Sequence, residues 1–236
     1  MTTSFKNQKI IVAGGASGIG LATARQFADQ GGMVTVTGRN AEKLKTAEQY
    51  GLSTARIDSA DRDALDDFFK SYGSIDHLVS SVSGSKGMGN FAELSLQMLR
   101  EGFDEKFWTN LNTVQAALPY MSKGGSMTVV TAISGIAKLP GTSGLGAING
   151  ALEIMIQVWA KELAPIRVNA VSPGVVDTGW WDFLPEEKKQ EAFASFAKQI
   201  KVGRVGRPEE IAHAILFTAG NTYMTGKIIA CDGGLS

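Results

Sequence analysis

The sequence predicts an α/β fold, a doubly wound parallel sheet flanked by helices on both faces. Three observations predict it. Short apolar, β-branched runs alternate with amphipathic stretches along the chain, the pattern of strands joined by crossover helices. The first such pair is hinged by glycines, in Ile10-Ile11-Val12-Ala13-Gly14-Gly15-Ala16-Ser17-Gly18-Ile19-Gly20. The chain has 236 residues, 44% of them hydrophobic, which suits one substantial core and leaves too little for a second. Residues 1–236 are therefore expected to form a single domain.

Ile10–Ala13 reads as a buried strand, the glycines as a tight turn, and Leu21–Ala28 as the helix that follows. Glycine lets the backbone take angles that side chains resist and lets it approach a ligand closely. Unpaired N–H groups and the positive end of the helix dipole then make a phosphate site at Gly14, Ser17, Gly18, Ile19 and Gly20. Met33–Thr37 is a second strand, closed by Gly38-Arg39-Asn40. Ala41–Tyr50 is helical in composition, and Leu52–Ile57 is a short third strand ending at Asp58. Asp61–Tyr72 has apolar residues at helical spacing, and Ile75–Val82 is the fourth strand. Ser83-Gly84-Ser85-Lys86-Gly87-Met88-Gly89 is a loop. A long amphipathic helix is expected over Phe103–Met121 and a strand over Ser126–Ile133. Ile148–Ala164 is a helix and Ile166–Val171 a strand. Helices over Glu186–Lys201 and Pro208–Ala219 and a strand over Lys227–Ala230 complete the series. In such sheets ligands sit beyond the carboxyl ends of the strands. The glycine turn lies at that edge, with the loops after Val82, Ile133 and Val171.

Composition excludes several classes. Lys plus Arg equals Asp plus Glu at 23 each, so no global charge attracts nucleic acid or an anionic membrane. Cys231 is the single cysteine, which rules out an internal disulfide and fits a reducing, cytoplasmic setting. The segment Met1-Thr2-Thr3-Ser4-Phe5-Lys6 has no apolar leader core, and no run approaches membrane-spanning length. No metal-ligand spacing occurs. His77, at the start of a strand, and His213, on a late helix, are read as structural. Lys86 is read as a solvated loop residue.

Further motifs extend the pattern. Arg167-Val168-Asn169-Ala170-Val171-Ser172-Pro173-Gly174-Val175-Val176-Asp177-Thr178, Arg204-Val205-Gly206-Arg207-Pro208-Glu209-Glu210-Ile211 and Asp232-Gly233-Gly234 follow the glycine turn, Asp58 and Asn110 in order. On these residues, from about Lys9 to Gly234, the sequence resembles the short-chain dehydrogenase/reductase family in its single-domain form. The resemblance implies a Rossmann-type domain that binds a nicotinamide dinucleotide and assembles as a homodimer or homotetramer. It also implies that Asp58 meets the adenine and that Val176 and Thr178 meet the nicotinamide side, with Ser81, Pro173 and Gly174 beside them. The residue ending the second strand would face the adenosine ribose. An acidic side chain there would bind the 2′-hydroxyl and repel a 2′-phosphate. Thr37-Gly38-Arg39-Asn40 holds no carboxylate and offers a guanidinium suited to phosphate, so NADP(H) is expected.

The chain departs from the family where catalysis is concerned. The family uses a Tyr phenol as general acid, in Tyr-x-x-x-Lys, with a Ser on the preceding strand end. Here Leu145 falls at the Tyr position, Asn149 at the Lys position and Ala132 near the Ser position. No tyrosine occurs between Tyr120 and Tyr223, so no shift of register restores the motif. Losing a positioned general acid costs roughly a hundredfold to ten-thousandfold in rate. Asn110 survives of the catalytic set, and Ser134, Ser143 and Asn149 are the substitutes considered, Asn149 as a ribose contact. Gly179-Trp180-Trp181-Asp182-Phe183-Leu184-Pro185 comes where the family places its substrate loop, and a greasy lid is expected around 179–201. The leading expectation is an NADP(H)-dependent oxidoreductase acting on a small apolar carbonyl, imine or activated alkene. The alternatives are a catalytically silent NADP(H) sensor or scaffold, and a non-redox isomerase or lyase using the same pocket.

Overall fold

The computed structural model describes residues 4–236. Met1-Thr2-Thr3, part of the stretch read as lacking a leader core, lie outside the described residues. Seven strands form one sheet in the order β3-β2-β1-β4-β5-β6-β7. They are β1 (Lys9–Ala13), β2 (Met33–Gly38), β3 (Ser53–Arg56), β4 (Ile75–Ser80), β5 (Met121–Val130), β6 (Arg167–Pro173) and β7 (Ile228–Cys231). Every neighbouring pair is parallel. Parallel pairing needs a crossover between strands, and the helices supply it: α1 (Gly18–Asp29), α2 (Ala41–Glu48), α3 (Arg62–Tyr72), α4 (Leu96–Gly102), α5 (Thr109–Ala117), α6 (Ser134–Ala137), α7 (Ser143–Glu162), α8 (Glu186–Ala197) and α9 (Pro208–Gly220). The winding reverses between β1 and β4, so a crevice opens there at the carboxyl edge.

Alternate residues of β1 serve two cores. Ile10 and Val12 join Phe27, Val36, Val171 and Ile215 under α1 and α9. Ile11 turns the other way, to Phe69, Leu78, Val129, Leu152 and Ile156 under α3, α5 and α7. A strand buried on both faces must be apolar throughout, which explains the unbroken Ile10–Ala13 run. At the amino edge, His77 is buried between Ser126 Oγ at 2.7 Å and Gln8 Oε1 at 3.0 Å. The Gln8 oxygen only accepts, so Nε2 carries the proton and Nδ1 accepts from the Ser126 hydroxyl. Both partners belong to the fold, as expected for a structural histidine. His213 lies exposed on α9.

Arg167 opens β6 and is also buried. Its guanidinium donates to the carbonyls of Thr218, Ala219, Asn221 and Met224, closing the carboxyl end of α9. A helix end has carbonyls without intrahelical partners, and a cation there also meets the dipole.

Several boundaries differ from the sequence expectation. The long helix starts at Leu96, seven residues before Phe103, because Ser95 Oγ caps it by accepting from Met98 N at 3.3 Å. It then widens into a π-helical turn over Phe103–Trp108 before α5. The helix expected from Ile148 begins at Ser143 and passes through Gly144 and Gly146. These glycines are packing devices: a Cβ at Gly144 would collide with the Gly87 carbonyl, and one at Gly146 would lie 2.9 Å from Ser134 O. β5 begins at Met121 because Met121 pairs with Ile75 ahead of an irregularity in the register.

Candidate active site

The crevice at the carboxyl edge is a cleft of about 1050 Å³, at the upper end of the range for small-molecule sites. One end is the glycine turn. Gly14 has φ +73°, and a Cβ there would lie 2.7 Å from Ser81 O, so only glycine lets β1 and the strand-4 loop run this close. Gly18 has φ +52° and faces the Thr178 side chain. Ser17 sits at the N-cap of α1 without a side-chain capping bond, and no acidic residue occupies the first turn. The N–H groups that begin α1 are thus directed at the cleft with no internal anion to meet them, which fits a phosphate group.

Past the end of β2, Arg39 and Lys43 line the cleft, with Asp58 opposite at the end of β3. Among the described residues neither cation forms an ion pair. Asn40 lines the cleft too, but its side chain caps α2 by accepting from Lys43 N at 3.0 Å. Its side-chain oxygen is therefore engaged by the helix. Asp58 accepts from Ala60 N at 3.0 Å through Oδ1 and lines the cleft.

The other end of the cleft gathers Ala132, Ser134, Leu145 and Asn149, with Pro173, Gly174, Val176 and Thr178 across from them. Asn149 is buried. Its Nδ2 donates to Ser134 Oγ at 3.1 Å and to Leu145 O at 2.8 Å, while its Oδ1 has no partner. A buried oxygen without a donor is costly unless a ligand supplies one, so the Asn149 oxygen fits a hydroxyl-bearing cofactor. Ser143 is exposed at the start of α7 and does not line the cleft, so it is removed from the candidates.

Asn110 lies behind the cleft wall. It is fully buried and does not reach the cleft. Its Oδ1 accepts from Ser80 Oγ at 2.6 Å, and its Nδ2 donates to Val82 O at 3.2 Å and to Lys106 O at 2.6 Å. All three contacts tie the end of β4 to the π-helical turn, leaving no atom free for substrate.

The residues of the segment expected to be a lid divide. Trp180 and Trp181 line the cleft, whereas Phe183 is half exposed and lies outside it. Trp180 Nε1 donates to Gly84 O at 2.9 Å, tying this segment to the loop after β4. Trp181 packs edge-on against Phe193 of α8. Lys86 lies between Glu101 at 2.6 Å and Glu105 at 3.5 Å, a partly exposed ion-pair cluster at the rim.

A family model described as Enoyl-(Acyl carrier protein) reductase matches residues 14–236. The chain belongs to the short-chain dehydrogenase/reductase family. The 3-oxoacyl-(acyl-carrier-protein) reductase FabG of Thermotoga maritima is 35% identical over 95% of this chain and 96% of its own length. The crystal structure of a small-chain dehydrogenase in complex with NADPH shares 32% identity and a TM-score of 0.86, covering 98% of this chain and 99% of that one. A short-chain dehydrogenase/reductase from Brucella melitensis gives a TM-score of 0.90 at 26% identity, covering 100% and 99%. As a short-chain dehydrogenase/reductase the protein is an oxidoreductase by family, built on the Rossmann-type fold.

Sequence reasoning missed two residues of the cleft wall, Lys106 and Thr131, and the buried Glu153 behind them. Lys106, on the π-helical turn, is buried in the wall and donates to Thr131 O at 3.0 Å. Thr131 Oγ1 in turn donates to Glu153 Oε1 at 2.9 Å. Burial pulls the Lys106 ammonium down to about 8, against the opposing pull of Glu153. Burial pushes the Glu153 carboxyl up, with the Thr131 and Ser172 hydroxyls pulling against it. The signal was present: Lys106 stands four residues before Asn110, on the same helix face. Among the described residues no cluster of His, Cys, Asp or Glu has metal-binding geometry, and no helix is long and apolar enough to cross a membrane.

Proposed function

We propose that this chain is an NADP(H)-dependent reductase of a small apolar carbonyl, imine or activated alkene, with an active site that departs from the family's Tyr-x-x-x-Lys chemistry. The observation that carries the cofactor choice is the pair of unpaired cations, Arg39 and Lys43, where an NAD-selective site would hold a carboxylate. Gly14, Ser17, Gly18, Ile19 and Gly20 would hold the pyrophosphate, and Arg39 with the backbone of Asn40 the 2′-phosphate. Asp58 would meet the adenine. Asn149 would accept from a ribose hydroxyl, and Ser81, Pro173, Gly174, Val176 and Thr178 would frame the nicotinamide. Bound dinucleotide would supply hydride; the chain's own task is to orient the acceptor, exclude water and provide a proton.

Residues 1–236 act as one cofactor-binding domain whose lid lies around 179–201. Exposed Trp108, Ile154 and Val158 offer apolar area for a homodimer or homotetramer. The balanced charge and lone cysteine suit a cytoplasmic protein without nucleic-acid or membrane partners. Leu145 favours a second reading, a silent NADP(H) sensor, because leucine has no proton to give. Titration with NADPH and NADH, followed by nicotinamide fluorescence, tests the cofactor. Consumption of NADPH with a carbonyl and imine panel then separates a reductase from a sensor. Failure to bind either dinucleotide would overturn both readings.

A further inference from the structure

Six residues that ionise in water line the cleft: Arg39, Lys43, Asp58, Asp104, Glu105 and Lys106. The first three lie at the adenosine end. Asp104 is exposed, and Glu105 is turned to Lys86 and to Ser85 N. Among the described residues no Tyr, His or Cys lines the wall. Lys106 alone is buried at the end that holds Ala132, Leu145 and Asn149, and it can release a proton near neutral pH.

Its placement is built. The backbone carbonyls of the π-helical turn are taken by side chains of the next turn: Thr109 Oγ1 donates to Glu105 O at 2.8 Å and Asn110 Nδ2 to Lys106 O at 2.6 Å. The ammonium is held by one acceptor, Thr131 O, one residue before Ala132. An ammonium has three N–H donors, so this anchor leaves others for a ligand. Glu153 of α7 is the charged group facing it from the packed elements, and no ion pair within 4.0 Å holds it there.

We propose that Lys106 is the proton donor of this site, standing in for the phenol that Leu145 replaces. The assignment rests on the reductase reading. The acceptor carbon takes hydride from the nicotinamide dinucleotide, which leaves oxidised, and the C=O or C=N π pair moves to oxygen or nitrogen. That atom forms its new bond to hydrogen as an N–H bond of Lys106 breaks. The resulting neutral amine regains a proton from water, so an alcohol or amine is the reduced product.

Lys106→Met removes the proton, and Lys106→Arg keeps the charge without a releasable proton. On neutral ketones and cyclic imines, kcat should fall in both variants by about a hundredfold or more, while a preformed N-alkyl iminium ion, which needs no proton, should lose no more than roughly threefold. Wild-type kcat on neutral acceptors should decline as pH rises through about 8. Independently of turnover, ¹³C spectra of the lysine-labelled protein without cofactor should show one lysine titrating near 8 that vanishes in Lys106→Met. Equal losses on neutral and iminium acceptors would mean a structural role and overturn the proposal. So would unimpaired variants, or a Lys106 signal that titrates with the surface lysines. A wild type that binds NADPH yet reduces nothing would instead fail the reductase reading, and the lysine assignment with it.

Discussion

The side-chain amide of Asn110 donates to the backbone oxygen of Lys106 at 2.6 Å, one helical turn away. The same side chain reaches Ser80 at the end of β4 and Val82 in the loop after it, so Asn110 fixes the π-helical turn to the sheet edge. Its role is positional, through Lys106, because no atom of Asn110 opens on the cleft.

Asn110→Ala should therefore cost stability as well as rate. It strips the partner from buried Ser80 Oγ and a donor from Val82 O, and an orphaned buried polar group costs about 1–3 kcal/mol. Urea unfolding should show a loss of at least that size. A melting curve matching wild type would contradict the bracing role.

Arg39→Ala should weaken NADPH binding by about tenfold, the lower end expected for an exposed charged hydrogen bond, and leave NADH binding unchanged. Arg39→Asp should invert the preference, since a carboxylate repels the 2′-phosphate and accepts from a 2′-hydroxyl. Fluorescence titration with both cofactors checks each outcome.

Leu145→Tyr combined with Asn149→Lys restores the family pair in a wall where Ser134 and Asn149 already touch. The double variant should gain carbonyl reductase activity of about tenfold or more, given that a positioned acid contributes about a hundredfold to ten-thousandfold. Cofactor-saturated protein with no gain across a broad carbonyl panel would count against this assignment of the two positions.

Trp180→Ala removes the bond to Gly84 O and an apolar wall of the cleft. KM for apolar acceptors should rise about tenfold, consistent with about 1.5–3 kcal/mol for a buried large side chain, with NADPH affinity little changed. Steady-state kinetics at saturating NADPH would reveal the split.

His77 makes stability depend on pH. Burial chiefly, with Arg167 adding to it and Asp76 opposing, lowers its pKa to about 4 from 6.5. The unfolded chain then binds the proton more readily, so this contribution is complete above about pH 6.5 and is lost as pH falls toward 4. The loss amounts to roughly 3 kcal/mol. Urea unfolding between pH 7 and 4.5 should show it, and His77→Phe should flatten that dependence.

The fold was legible because its signals are local and repeated. Ile10–Ala13 is apolar at every position, and the glycine turn follows at once, so a doubly buried strand and its anion-binding helix start could be read residue by residue. The limits of α7 were not legible. The expected helix began only at Ile148, yet it starts at Ser143, with Gly144 and Gly146 fitting against Gly87 and Ser134. Asn149 was expected at the cofactor, and its unpartnered Oδ1 gives that expectation a physical form. Ser143 was considered as a donor near the chemistry, but the start of α7 leaves it exposed outside the cleft; Asn110 is buried and braces the helix.

The sequence by itself determined the parallel sheet, its carboxyl-edge cleft, the lack of any tyrosine between Tyr120 and Tyr223 and the guanidinium of Arg39 where a carboxylate would select NAD(H). Each follows from residue identity at a local motif. Only the tertiary structure decided what Lys106 does. In the linear chain it is the one lysine of an amphipathic helix, and solvent is the default place for such a charge. Widening of the helix over Phe103–Trp108, and the approach of Thr131 from a strand 25 residues away, put its ammonium inside the wall of the cleft instead. Burial there, a property of the assembled fold, gives a surface-type residue a proton to offer near neutral pH.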